Sequence, residues 1–199
     1  MAKIKKILKW GGISILVVFV ALVIARMPHA YDKQKTEKQV AKIHATKLTL
    51  DDVLGKNLPP DPGAEADKTI AGIDANKNGI RDDVELAIFR EYPDSAKVRA
   101  AALQYAMALQ IGLTQVSNSA TLVAMAQERS RAGGCLFKLG GIDEQMIDAI
   151  HREDSFKKLI LNTDARKNQI EDVYDKYMVS MGSIKGKSDC DIDPASLLN

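Results

Sequence analysis

Of the side chains that hold transition metals, stack on bases or run acid and base chemistry, the chain has few: three histidines, two cysteines and one tryptophan in 199 residues. His29 and His44 lie toward the amino terminus and His151 in the second half; there is no His-Glu-x-x-His pair, no nucleophile elbow and no glycine loop placed to cradle phosphate. A catalytic case rests on His151, which lies beside Glu153 and Asp154. Residues this close along a helix do not close around a shared substrate atom as a catalytic acid and base must. The chain is therefore expected not to be an enzyme, the competing expectation being a secreted or periplasmic hydrolase that pairs His151 with a distant carboxylate.

Aromatic residues make up 5 % of the chain and are nowhere interleaved with arginine so as to stack bases. The formal charge is only +2, with acidic residues interspersed among the basic ones, so nucleic acid is not an expected partner. Branched apolar and polar residues do not alternate between hairpin turns, and there is no internal repeat. Strands are not expected, and the fold class is all-α.

One long apolar run is present. From Trp10 to Ala25 only Ser14 is polar; Lys3, Lys5, Lys6 and Lys9 precede the run and Arg26 follows it. Its length lies between a signal sequence and the ~20 residues of a membrane span. The expectation is an uncleaved transmembrane anchor, with cleavage after Ala25 and secretion as the alternative. Lysines before the run keep the amino terminus in the cytoplasm and carry the rest of the chain across. In the oxidising compartment so reached, Cys135 and Cys190 are expected to form a disulfide, two separate buried thiols being the alternative.

Three regions follow: residues 1–30 as anchor or signal, 31–63 as a stalk or linker, and 64–199 as a helical domain. Pro59, Pro60 and Pro62 forbid a helix at the end of the second region. Periodicity and capping residues place about five or six short helices in the third. A further short candidate covers Ala64 to Gly72. Asp82 and Asp83 open the next, which Tyr92-Pro93 stops. Asp94 or Ser95 caps a broad-faced central helix reaching about Ile111. Ser117 or Ser119 opens a helix ending at Gly133-Gly134. Asp143 caps a short helix with Ile142 stapled against Ile147, Ser155 begins another, and a last one carries Ile170, Val173, Tyr174, Tyr177, Met178 and Met181 on one stripe before Gly182.

The segment Asp74 to Glu85 is where residue type and spacing together specify a chemistry. Oxygen side chains stand at the first, third, fifth, ninth and twelfth places, and glycine at the sixth. A hard cation takes six to eight oxygens at about 2.3 to 2.6 Å from a very short piece of chain. Asp74, Asn76 and Asn78 would supply side-chain oxygens, Ile80 its backbone carbonyl, Asp82 a direct or water-borne contact, and Glu85 both carboxylate oxygens. Gly79 meets the sharp turn that a β-carbon resists. A plain polar turn capped by Asp82 or Asp83 is the alternative.

These twelve residues resemble the EF-hand, dockerin and thrombospondin type 3 calcium loops. The resemblance implies calcium as the bound ion and the six residues just named as its ligands. Arg81 stands where paired hands carry an aliphatic residue, and no second loop occurs, so a structural clip is expected in preference to a cooperative sensor. Two neutral asparagines among the ligands lower affinity toward about 10⁻⁴ to 10⁻³ M, the range of extracellular modules.

The run Leu58-Pro59-Pro60-Asp61-Pro62-Gly63, followed by Gly72-Ile73-Asp74 and Asn78-Gly79-Ile80-Arg81-Asp82-Asp83, also resembles a family of exported bacterial proteins. That likeness spans roughly half the chain and implies export and a helical fold without an activity. The combined expectation is a protein of the bacterial inner membrane, its domain in the periplasm, bound to calcium and acting through an unidentified protein partner. A calcium-responsive regulator is a further alternative, with Met107, Met125, Met146, Met178 and Met181 as its adaptable surface.

Overall fold

The computed structural model describes residues 2–139, 145–178 and 190–197, with side chains for 10–139, 153–178 and 190–197. The chain divides into two units, 1–38 and 39–199. A single helix, α1 (Ala2–Ala45), runs out of the first and into the second. Within the first unit it exposes Ile15, Leu16, Val17, Val18 and Phe19, and it is long and apolar enough to cross a membrane, with a window of mean hydropathy 2.2.

The expected stalk is helical as far as Ala45, and from Gln39 onward it belongs to the second unit. Ile43, Leu48 and Val53 are all core residues, which brings much of the stretch expected as linker into the folded domain. A one-turn helix, α2 (Leu50–Val53), follows, capped by reciprocal bonds between Thr49 and Asp52. Over 64–72, where a helix was expected, there is a 3-10 turn (Gly63–Asp67) and then irregular chain. The reason is long-range: the Arg166 guanidinium takes the carbonyls of Ala66, Thr69 and Ile70 that a helix would use for itself.

α3 (Asp82–Glu91) and α4 (Ala96–Thr114) start and stop close to where their caps and Pro93 put them, with Ser95 Oγ accepting from Val98 N. α4 is the axis of the fold, every residue from Arg99 to Leu113 being buried. α5 (Ser119–Phe137) is capped by Asn118 and packs along α4. It does not end at Gly133-Gly134. Two glycines cost about 2 kcal/mol of helix propensity, and burial of Cys135 and Leu136 at 0 % and 1 % exposure offsets that.

The helices expected to begin at Asp143 and Ser155 are one helix in the structure, α6 (Gln145–Ile160), with Ser155 inside it and Phe156 and Ile160 in the core. The Asp143 cap and the Ile142–Ile147 staple lie outside the described residues or side chains. α7 (Asp164–Tyr177) starts from a Thr163 cap and buries Ile170 and Val173; Met181 and Gly182 lie outside the described residues. Among the described residues there is no strand, and the fold is all-α with an amino-terminal apolar helix. Cys135 and Cys190 form a disulfide, their Cα atoms 5.0 Å apart, which ties the end of α5 to the carboxy-terminal segment.

Candidate metal site

The segment 74–85 runs from irregular chain into the first turn of α3, and its shape follows from a few side-chain-to-backbone bonds. Asp74 accepts from the amides of Asn78 at 3.1 Å and Gly79 at 3.0 Å, one on each oxygen. Asn78 Oδ1 accepts from Ile80 N at 2.9 Å, and the Asp82 carboxylate accepts from Ala75 N at 3.0 and 3.2 Å. The chain thus folds around its own oxygens. Lys77 and Gly79 take left-handed backbone conformations at φ 59° and 86°, and Lys77 is the one non-glycine residue to do so among those described. Ile80, 1 % exposed, pins the segment to the core.

Two carboxylates are enclosed here without a cation beside them. Asp82 and Glu85 are each 1 % exposed, and among the described residues neither they nor Asp74 has a lysine, arginine or histidine in ion-pairing reach. Burial pushes Glu85 up to about 7, opposed by the Asn76 amide, which donates to Oε2 at 3.0 Å, and reinforced by the negative charges of Asp52 and Asp82. Burial likewise raises Asp82, against the pull of the Ala75 amide. Asn78 lies close enough to help lower Glu85, yet its Nδ2 is buried and makes no hydrogen bond. The two enclosed carboxylates are the oxygen groups here that a cation could take; the orphaned Asn78 Nδ2 is a hydrogen-bond donor and would not ligate one.

The sequence-derived ligands are therefore brought into one loop, but not all are turned inward. Asp74 and Asp82 spend oxygens on backbone amides, and Asn76 presents nitrogen to Glu85 and to the Asn57 carbonyl. Among the described residues no three histidine, cysteine, aspartate or glutamate side chains gather as a metal-holding group.

Three residues that spacing alone could not assign complete the surroundings. Arg81 is fully enclosed; it pairs with Asp83 at 2.6 and 2.9 Å and donates to the Ile160 carbonyl at 3.0 Å and to Asn162 Oδ1 at 3.2 Å. Arg166, 0 % exposed, donates to the same Asn162 oxygen at 2.6 Å and to Asp67. Gly72 makes room for this: a β-carbon there would overlap the Arg81 stem. That glycine two residues before the loop was the one local sign of a close approach.

Elsewhere, His44 meets Glu128 at 2.7 Å, and Lys47 and Arg131 share that carboxylate and Asp191. Tyr105 and Arg129 both donate to Glu153, at 2.8 and 2.9 Å, which holds Glu153 below the usual carboxylate range although burial pushes it up. The side chain of His151 lies outside those described, as do Met146 and Met181. Met107 and Met125 are core residues, and only Met178 of the described candidates is exposed. No family model, curated protein or solved structure matches this chain.

Proposed function

We propose that the chain is a membrane-anchored calcium-binding protein whose helical domain lies outside the cytoplasm, in the periplasm of a bacterium, and has a structural or protein-interaction role. The enclosure of Asp82 and Glu85 without a countercation carries this reading. In a folded interior such carboxylates stay protonated or take a cation, and the loop's residue order matches what calcium requires. The apolar helix and the disulfide support an anchored, exported protein.

Calcium titration of the metal-stripped, detergent-solubilised chain tests the reading. One ion bound per chain, with an accompanying rise in Tm and loss of both effects in Glu85→Gln, is the expected result. No heat and no Tm change at millimolar calcium would reduce residues 74–85 to a polar turn.

A further inference from the structure

Where a paired hand would lean on a second loop, this one leans on the corner between α6 and α7. Arg81 stands between Ile80 and Asp82, two of the expected ligands, so drawing both neighbours toward a cation sets the backbone from which its side chain departs. That side chain leaves the loop and ends in the corner, on the Ile160 carbonyl and Asn162 Oδ1. From the other side Arg166, near the start of α7, reaches the same Asn162 oxygen and takes the carbonyls of Ala66, Thr69 and Ile70 on the chain entering the loop. Both guanidiniums are wholly enclosed. Neither can swing free without leaving buried donors unsatisfied, so loop and corner move together.

We propose that the corner formed by Ile160, Leu161, Asn162 and Thr163 is the mechanical output of the loop, with Arg81 as the lever and Asn162 as the joint it shares with Arg166. The inference rests on the metal reading above. Its consequence reaches a surface: a groove of about 660 Å³ includes Leu161 of the corner itself, Lys157 from α6, Lys167, Ile170 and Tyr174 from α7, and Leu109 from α4 in its lining. Filling the loop stiffens the corner and sets the width of that groove. By linkage, whatever fixes the corner also tightens the loop's hold on its ion.

Hydrogen exchange on the full chain in detergent, with calcium and with chelator, tests the coupling. Calcium is expected to slow exchange across the end of α6 and the first turn of α7 as well as within 74–85. Arg81→Lys keeps the charge but not the fork that bonds Ile160 and Asn162 together; calcium should then protect the loop alone. Asn162→Ala is expected to weaken calcium binding roughly fivefold or more, the lower range of such couplings. Should that variant fail to fold, the wild-type exchange map decides. Calcium binding with protection confined to 74–85 in the wild type would overturn the coupling while leaving the metal reading intact. Absence of calcium binding in the wild type overturns both.

Discussion

Asn76 Nδ2 donates to Glu85 Oε2 across 3.0 Å, so the third and twelfth residues of the loop are joined directly. Glu85 is neutral at low pH in both folded and unfolded chain. Its carboxyl is raised from 4.5 to about 7 in the fold, so as pH climbs from 4.5 through 7 the unfolded chain ionises first and the metal-free fold loses stability. The full loss is about 3 kcal/mol above pH 7. In chelator, Tm should fall between pH 5 and pH 8, and Glu85→Gln, which cannot ionise, should fall less. Parallel profiles would show that Glu85 carries no such strain.

Gly72 and Gly79 both have left-handed backbones, yet their surroundings differ. A β-carbon on Gly79 finds its nearest neighbour, Thr46 Cγ2, at 3.5 Å, whereas one on Gly72 strikes the stem of Arg81 and approaches the Ala66 carbonyl oxygen to 3.1 Å. Gly79→Ala should cost only the backbone strain, about 1 kcal/mol. Gly72→Ala should cost clearly more, because the buried lever must move as well. Urea unfolding of the two variants in chelator ranks them, and equal midpoints would contradict the packing described for Arg81.

The Cys135–Cys190 bridge closes a separation of 55 residues. In the chain-entropy account a loop of that size stabilises the fold by about 4 kcal/mol. Reduction, or the double variant Cys135→Ala/Cys190→Ala, should lower the unfolding free energy by roughly 2–5 kcal/mol and loosen Asp191 from Arg131 and Lys47. Unfolding curves that coincide with and without reductant would refute this.

Glu128, 7 % exposed, holds His44, Lys47 and Arg131 at once. Burial pushes its carboxyl up, but the bonds from these three prevail and hold it below its ordinary 4.5. The stabilisation is complete above that ordinary value and is lost as pH falls through the lower folded one. Glu128→Gln should destabilise the domain at pH 7 by about 1 kcal/mol, because His44 and Lys47 are partly exposed and Asp191 still pairs with Lys47 and Arg131, and its stability should change less than the wild type's below pH 4. A variant as stable as the wild type at pH 7 would show the cluster to be dispensable.

What could be read ahead of the structure was local. Ser95 closes on Val98 N because a cap and its first turn lie within four residues of each other, and Asp82 starts α3 as one of three acidic residues in its first turn, without a side-chain cap bond. The order and spacing of the oxygen-bearing residues in 74–85 were legible for the same reason, but not the way they face: Asp74 and Asp82 accept from backbone amides and Asn76 turns its nitrogen to Glu85. The breaks at Gly133-Gly134 and before Ser155 failed because propensity is a weak preference that burial overrides, through Cys135 and Leu136 in α5 and Phe156 and Ile160 in α6.

The sequence by itself determined the helical class, the apolar amino-terminal helix, the Ser95 cap and the order of oxygen-bearing residues in 74–85, all of which depend on contacts between near neighbours; the caps of α5 and α7 are Asn118 and Thr163, which it did not single out. Tertiary structure decided which face of each donor turns inward, that residues 39–63 include core, and that Arg81 ends on Ile160 and Asn162. Those outcomes join residues tens of positions apart. Their energies exist only once the helices have packed, and no spacing along the chain encodes them.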